Sequence, residues 1–207
     1  AGVYGKLKNS RAQEEDKLDP PNPYAKSKLK TENYLINLSN IKKIDCIILR
    51  YFNVAGADEK GRSGMIVQKS NNLIKAACEF ALNKRKSFTI NGDSYETKDG
   101  TPIRDFIHVS DLAEIHLVAA KYLSKEKITD IFNCGYSKGY SVLDVMIAME
   151  KILKQKLHYK VGTQRDGDIP ISIADTKKFE KKFNWHPKYN SLNYILETAL
   201  NWEKKQK

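Results

Sequence analysis

The apolar run from Asp45 to Leu49 (Asp-Cys-Ile-Ile-Leu) constrains the fold of this chain more than any other stretch. A short apolar run without alternation is typical of a parallel strand that is buried on both faces. It continues into Arg50-Tyr51-Phe52-Asn53, so polar groups follow at its carboxyl end, the edge where open α/β sheets bind ligands. Residues 3–5 are interpreted as an earlier strand end and residues 24–39 as a helix. This order predicts a βαβ crossover within the first 53 residues.

The remaining elements also alternate, as expected of an α/β protein. In the first helix, Leu29, Tyr34, Leu35 and Leu38 are expected to form a buried stripe. Ser110 and Ser141 are the expected N-caps of two later helices. Helices are predicted over 72–82, 110–123, 141–153, 176–183 and 191–204, and strands over 88–90, 131–134 and 157–161.

Composition narrows the class of protein. The 207 residues carry a formal net charge of +11, but the excess comes largely from lysines spread along helices and the tail, without aromatic interleaving. We therefore expect a solvated surface and no nucleic-acid partner. No apolar run approaches the about 18 residues that span a bilayer, so no membrane association is expected. Three widely spaced cysteines (Cys46, Cys78, Cys134) indicate buried thiols of a reduced cytoplasm. His108 and His116 lack a third ligand nearby, so no metal site is expected.

Tyr24 and Lys28 form the first candidate for chemistry. Four residues apart at a helix start, their side chains are expected on one helix face. A free tyrosine ionises near pH ~10, but a nearby ammonium favours the phenolate. The pair can therefore act as a proton acceptor near neutrality. Tyr-x-x-x-Lys is also frequent by chance, and an ordinary exposed pair is the alternative.

Four further residues are candidates for binding an anion or a sugar. Asn53 ends the buried strand, where its amide can both donate and accept hydrogen bonds. Asn72 begins a helix, where it serves either a phosphate or only as an N-cap. Arg104 and Arg165 each neighbour an acid and a glycine turn, as expected for guanidinium groups that carboxylates aim at a pyrophosphate. Two surface ion pairs are the alternative.

Taken together, several motifs resemble the UDP-glucose 4-epimerases, a group within the extended short-chain dehydrogenase/reductase family. The resemblance covers essentially the whole chain, and its most specific block is Asp-Gly-Thr-x-x-Arg-Asp-Phe-Ile-His-Val. The motifs are Ala1–Gly5, Asn22–Lys28, Leu49–Ala57, Asn71–Leu73, Asp99–Ala113 and Gly139–Asp144.

The resemblance implies a fold in two parts. These are the C-terminal part of a Rossmann-type parallel-sheet domain that holds NAD, and a smaller mixed α/β domain that holds the nucleotide sugar. Residues 1–57 and 103–123 would belong to the NAD-binding side, and residues 58–102 and 124–207 to the substrate side. The activity implied is the interconversion of UDP-glucose and UDP-galactose by transient oxidation at C4.

The resemblance also implies roles for individual residues. Tyr24 would take the proton of the sugar 4-hydroxyl while hydride moves to NAD, and Lys28 would hold the nicotinamide ribose. Phe52 would contact the cofactor through its backbone. Arg104 and Arg165 would neutralise the pyrophosphate, with Asp168 on the uridine ribose. The residues expected to line the UDP-sugar are Asn53, Asn72, Leu73, Thr89, Ile90, Asn91 and, at the pocket floor, Ser172.

The sequence departs from the family pattern in two ways. It contains neither the glycine-rich NAD loop nor the Ser/Thr that completes the catalytic group, so these 207 residues are expected to be part of a longer, homodimeric protein. Alone, they are expected neither to hold NAD tightly nor to turn over. Ser172 stands where some family members carry a bulky aromatic residue, so N-acetylated sugars are expected to fit.

Three other functions remain open at this point. The chain could belong to another nucleotide-sugar epimerase, such as one for UDP-N-acetylglucosamine or UDP-glucuronate. It could be an inactive remnant that only binds a UDP-sugar. A basic nucleic-acid binder is the third alternative, and its affinity would fall steeply with salt.

Overall fold

The computed structural model describes residues 1–7, 11–67 and 70–206, and in these ranges the chain is an α/β protein. A 3-10 helix (Gly2–Tyr4) precedes six α-helices and eight strands in the described residues. The helices are α1 (Pro23–Asn40), α2 (Leu73–Ala81), α3 (Val109–Lys125), α4 (Val142–Leu153), α5 (Lys177–Phe183) and α6 (Leu192–Lys205). The strands are β1 (Ile47–Tyr51), β2 (Asn53–Ala55), β3 (Thr89–Asn91), β4 (Ile103–His108), β5 (Asp130–Cys134), β6 (Gly139–Ser141), β7 (Lys160–Gly162) and β8 (Ile171–Ser172).

The strands form three small sheets with mostly parallel pairing. β1 pairs with β5, β2 with β4, and β3 with β7, all in parallel. β4 also pairs antiparallel with β6 and parallel with β8. Parallel and mixed pairs of this kind, covered by helices, confirm the predicted α/β class.

The start of the chain differs from the prediction. Residues 3–5 are not a strand end, because Gly2–Tyr4 forms a 3-10 turn that the Tyr4 N–H closes on the Ala1 carbonyl at 3.2 Å. The Tyr4 ring stacks on Phe52 with the ring centroids 6.4 Å apart. The predicted βαβ crossover of the first 53 residues is therefore not formed in the described residues.

The predicted helix 24–39 is confirmed as α1, but its buried stripe is wrong. Asn22 caps the helix by accepting from the Ala25 N–H at 2.9 Å. Ala25 and Glu32 are the buried positions of α1, whereas Tyr34 is 63% exposed and the predicted leucines are half-buried. A pattern of apolar residues misses Glu32 because a carboxylate can be buried once it is paired, here with Arg50.

Several boundaries and caps in the middle of the chain also differ. Strands β2, β4, β6 and β8 were not predicted, and β1 and β7 begin two and three residues later than predicted. Asn53 does not end the buried strand, because β1 ends at Tyr51 and Asn53 begins β2. Ser110 is not the N-cap of α3, because the Nδ1 of His108 accepts from the Ser110 N–H at 3.1 Å. Ser141 does cap α4, in a capping box with Asp144, as its side chain and spacing favour.

Two larger apolar clusters hold these elements together. One lies between α2, α4 and α6 and includes Ile74, Met146 and Leu196. The other joins β1, β4 and β5 to α3 and α5 through residues such as Ile107 and Phe132. No helix in the described ranges is long and apolar enough to cross a membrane.

The cysteines follow the prediction only in part. Cys78 and Cys134 are buried, whereas Cys46 is half-buried, and the described residues contain no disulfide. Burial raises the pKa of the Cys78 thiol to about 12, which makes it a poor nucleophile. Cys78 and Cys134 therefore act as small packing residues.

Candidate functional site

Two cavities adjoin where β1 ends and β2 begins, at Asn53. The first has a volume of about 420 Å³ and lies between the start of α2, strand β3, strand β4 and the turn at Arg165. The predicted residues that line it are Asn53, Asn72, Leu73, Thr89, Ile90, Asn91, Arg104, Arg165 and Asp168.

The second cavity has a volume of about 430 Å³ and lies between α1 and β1. The predicted residues that line it are Tyr24, Lys28, Phe52, Asn53, Arg104 and Ser172. Asn53 and Arg104 line both cavities, so the structure brings every predicted site residue into one continuous region.

Tyr24 and Lys28 lie on the same face of α1, as their spacing predicts. The Lys28 ammonium nitrogen lies 5.3 Å from the centroid of the Tyr24 ring, within the range of a cation–π contact. The Tyr24 side chain is 68% exposed, so a ligand in the second cavity can reach its hydroxyl. The pair is therefore adjacent, accessible and at the cavity wall.

A buried polar network anchors the helix that carries this pair. The Arg50 guanidinium donates two parallel bonds to the Glu32 carboxylate, and its Nη1 donates to the Tyr4 hydroxyl at 2.9 Å. The Tyr4 hydroxyl in turn donates to the Asn133 side chain at 2.6 Å. Since Glu32 belongs to α1, Arg50 to β1 and Asn133 to β5, the network ties α1 to the sheet.

Arg104 is held differently from the prediction. Strand alternation turns its neighbour Asp105 to the opposite side, where that carboxylate accepts backbone N–H groups of Tyr136 and Ala174. The Arg104 Nη1 donates to the Ile169 carbonyl at 2.8 Å, and its Nη2 lies 4.0 Å from the Asp168 carboxylate. Burial lowers the pKa of Arg104, yet a guanidinium stays charged near neutral pH.

Among the described residues, Arg165 is held by an amide and not by an acid. With the Asn91 amide oxygen facing the guanidinium, that oxygen accepts from Nη2 at 2.9 Å and from Nε at 3.2 Å. In the opposite orientation, the amide nitrogen would face these donors and could not accept from them. The amide is therefore assigned with its oxygen toward Arg165. The prediction that a neighbouring carboxylate aims Arg165 is wrong.

Asn72 acts as an N-cap in the structure, since its side-chain oxygen accepts from the Lys75 N–H at 3.2 Å. It also lines the first cavity, and the α2 N-terminus that it caps begins there at Leu73. The two roles that the sequence left open are therefore compatible. A partial positive charge at a helix start favours an anionic ligand.

Several residues of the first cavity were not predicted from the sequence. Arg85 is the most significant, because it gives the described lining three guanidinium groups against one carboxylate. It follows α2 in the basic run Lys84-Arg85-Lys86, and such runs are typical of solvated surface, so no local signal pointed to it. The other residues missed include Asn71, Ser87, Phe88, Pro102, Phe106 and Val142.

The two histidines lie in different surroundings. His108 is fully buried and its Nε2 lies 3.1 Å from the Thr198 hydroxyl, while the Nδ1 of His116 contacts the Leu112 carbonyl at 2.8 Å. In the described ranges, no three His, Cys, Asp or Glu side chains lie close enough to bind a metal ion. His108 is therefore a packing residue, whereas His116 is exposed on α3, so the prediction that both histidines pack against other elements is wrong for His116.

The residues of the second cavity fit one end of a dinucleotide such as NAD. Tyr24 and Lys28 offer a hydroxyl and an ammonium to a ribose. Phe52 also lines this cavity, but its backbone N–H donates to the Cys134 carbonyl at 3.0 Å. The glycine-rich turn that binds the pyrophosphate of a dinucleotide does not occur in the 207 residues. The fit therefore extends to the nicotinamide ribose end alone.

Comparison with known proteins relates this site to one group of enzymes. Residues 1–135 match the NAD dependent epimerase/dehydratase family. The UDP-glucose 4-epimerase of Azospirillum brasilense is 39% identical over 204 residues, which cover 99% of this chain and 59% of that protein. The chain thus spans about 60% of the length of the curated relatives it matches.

Solved structures show the same relationship. The UDP-glucose 4-epimerase of Bifidobacterium longum, in complex with NAD+ and UDP, superposes with a TM-score of 0.93 at 35% identity, covering 99% of this chain and 62% of that one. The UDP-Glc/GlcNAc 4-epimerase of Campylobacter jejuni is 40% identical with a TM-score of 0.78 over the same fractions.

Proposed function

Because this chain belongs to the NAD dependent epimerase/dehydratase family, we propose that it forms the substrate site and catalytic pair of a UDP-glucose 4-epimerase. The reaction is the interconversion of UDP-glucose and UDP-galactose with NAD as cofactor. One observation carries the proposal: a cation-lined cavity and the Tyr24–Lys28 cavity share Asn53 and Arg104. A nucleotide sugar needs both cavities, because its anionic diphosphate requires cations and its hexose must reach the Tyr24–Lys28 pair.

The chemistry follows from the order of the residues along these cavities. Arg104 and Arg165 bind the diphosphate, and Asp168 accepts from the uridine ribose. The hexose then lies at the junction beside Asn53, within reach of the Tyr24 hydroxyl. Tyr24 takes the proton of the sugar 4-hydroxyl and later returns it, while the Lys28 ammonium stabilises the phenolate. NAD, when bound, accepts and returns the hydride.

Specificity for the hexose depends on Ser172 in this proposal. The small side chain lies on β8 beside Arg104 and lines the second cavity. It leaves room for a 2-acetamido group, so UDP-N-acetylglucosamine is a second substrate. The relative from Campylobacter jejuni, described as a UDP-Glc/GlcNAc 4-epimerase, supports this breadth.

The assembly and location of the protein complete the proposal. We assign residues 1–57 and 103–123 to the NAD-binding side, and residues 58–102 and 124–207 to the substrate side. A cytoplasmic homodimer is expected. The exposed Tyr34 of α1 (63%) and the exposed Ile41 that follows the helix (60%) support a contact through this part of the chain. Sedimentation measurements on the complete protein that the reading frame encodes test whether it is a dimer.

Two measurements test the function. Calorimetry with UDP and the 207-residue chain tests whether the cation-lined cavity binds UDP. NMR of UDP-galactose mixed with NAD tests turnover by the complete protein that the reading frame encodes. UDP binding together with formation of UDP-glucose is expected. UDP binding without turnover would instead favour a non-catalytic UDP-sugar binder, and salt-sensitive binding of nucleic acid with none to UDP would overturn both.

A further inference from the structure

The guanidinium group of Arg165 is held at the first cavity by a neutral partner. Nε and Nη2 both donate to the Asn91 side-chain oxygen, at 3.2 and 2.9 Å. A carboxylate would accept the same two bonds with greater strength. The amide therefore fixes the direction of the guanidinium without cancelling its charge.

The pairing of β3 with β7 brings Asn91 and Arg165 close together. Asn91 is the last residue of β3 and is the register partner of Gly162 at the end of β7. The Gly92 N–H donates to the Gly162 carbonyl at 3.0 Å, which extends the pairing by one bond. Arg165 follows shortly after β7, in a turn that the Asp168 N–H closes on the Arg165 carbonyl at 3.2 Å.

Arg104, which lines the same cavity, is also held mainly by neutral acceptors. Its Nη1 donates to the backbone carbonyls of Ile103 and Ile169, at 2.9 and 2.8 Å. Its nearest carboxylate, that of Asp168, lies 4.0 Å from Nη2. Both guanidinium groups therefore keep most of their positive charge for a ligand.

We propose that Asn91 is a positioning residue, which aims Arg165 into the cavity through a neutral amide and so reserves its charge for the diphosphate of the nucleotide sugar. The inference rests on the proposed function and deepens it. An amide at this position holds Arg165 by hydrogen bonds to a neutral group, so the charge of Arg165 stays available to the ligand. A carboxylate there would hold Arg165 as an internal ion pair that the ligand must break.

The test compares Asn91→Asp with Asn71→Asp, two variants that add the same charge to the lining of the same cavity. In the described residues, Asn71 forms no hydrogen bond with a guanidinium group, so its variant controls for charge alone. Calorimetry measures the affinity for UDP. Saturation-transfer NMR measures the affinity for uridine, which carries no phosphate. Circular dichroism and thermal unfolding confirm that each variant is folded.

For Asn91→Asp we expect UDP affinity to fall by about 10- to 100-fold, the scale of one charge-assisted hydrogen bond. Uridine affinity stays unchanged, and Asn71→Asp loses much less UDP affinity. Unchanged UDP affinity in Asn91→Asp, equal losses for UDP and uridine, or equal losses in the two variants would overturn the inference. A failure of the unaltered chain to bind UDP would instead overturn the proposed function, and the inference with it.

Discussion

Arg104 of β4 and Ser172 of β8 are register partners in a parallel strand pair. The pairing sets a small hydroxyl-bearing side chain next to a guanidinium group that lines both cavities. In the proposed enzyme, the sugar ring therefore meets Ser172 at the point where the diphosphate meets Arg104. The size of residue 172 should then control which hexoses fit, without affecting the phosphates.

Replacing Ser172→Tyr tests this directly. The added ring fills the space of a 2-acetamido group, so turnover of UDP-N-acetylglucosamine should fall by about tenfold or more through steric exclusion. Turnover of UDP-galactose should fall much less, and Ser172→Ala should retain both substrates. Paired kcat/KM values for the two sugars are the measurement. Equal losses on both sugars would contradict a role in specificity.

Tyr24→Phe tests the acid–base role. The change removes the hydroxyl that takes the substrate proton, and general-base catalysis contributes about 100- to 10,000-fold. We expect kcat to fall by that factor while UDP affinity is retained, because Tyr24 lines the second cavity and not the first. Tyr34→Phe is the matched control, since Tyr34 is similarly exposed on the same helix. An active Tyr24→Phe enzyme would refute the assignment.

The buried pair of Arg50 and Glu32 should be a large contributor to the free energy of unfolding. Their side chains are only 5% and 6% exposed. Removing one partner leaves a buried uncompensated charge, so Arg50→Met should cost about 3–5 kcal/mol. The double change with Glu32→Leu should cost less than the single change. Denaturant midpoints of the two single variants and the double variant measure the coupling.

A surface ion pair gives the control for that experiment. Arg62 also pairs with an acid, Asp58, but its side chain is 70% exposed. Solvent screens such pairs, so Arg62→Met should leave the denaturation midpoint nearly unchanged. Equal effects of the two arginine variants would show that burial does not strengthen the Arg50 pair.

Asp105 predicts a pH dependence of stability. Burial raises the pKa of its carboxyl from 3.8 to about 6, although backbone N–H groups of Tyr136 and Ala174 partly oppose the shift. Since the folded-state pKa lies above the unfolded value, the stabilising contribution is complete below pH 4. It is lost as the pH rises through about 6, by up to about 3 kcal/mol.

Comparison with Asp105→Asn isolates this effect from the other carboxyl groups. The difference in unfolding free energy between the unaltered chain and the variant should decrease from pH 4 to pH 7. Urea titrations at four pH values measure it. A difference that stays constant over this range would show that Asp105 has the same pKa in the folded and unfolded states.

Local features of the sequence predicted much of the secondary structure. The Tyr24–Lys28 spacing, the Asn72 and Ser141 caps and the helices α1, α2, α4 and α6 depend on contacts within about four residues. Such contacts can be read from the sequence because they involve residues that are close together along the chain. Every site residue named from the family resemblance lines one of the two cavities, but other lining residues such as Arg85 were missed, and the roles in the reaction stay proposals.

The partners of charged residues came from the tertiary structure. Strand alternation turned Asp105 away from Arg104, and the β3–β7 register brought Asn91 to Arg165. In both cases, the nearest acid in sequence was the wrong partner.

The sequence by itself therefore determined the α/β class, the main helices and the chemistry available at the site. Only the tertiary structure decided which groups are buried, which cations stay uncompensated and how the two cavities join. The physical reason is the distance along the chain over which each interaction acts. Helix propensity and capping act over one turn, whereas burial and charge pairing depend on residues that strand pairing brings together from distant parts of the chain.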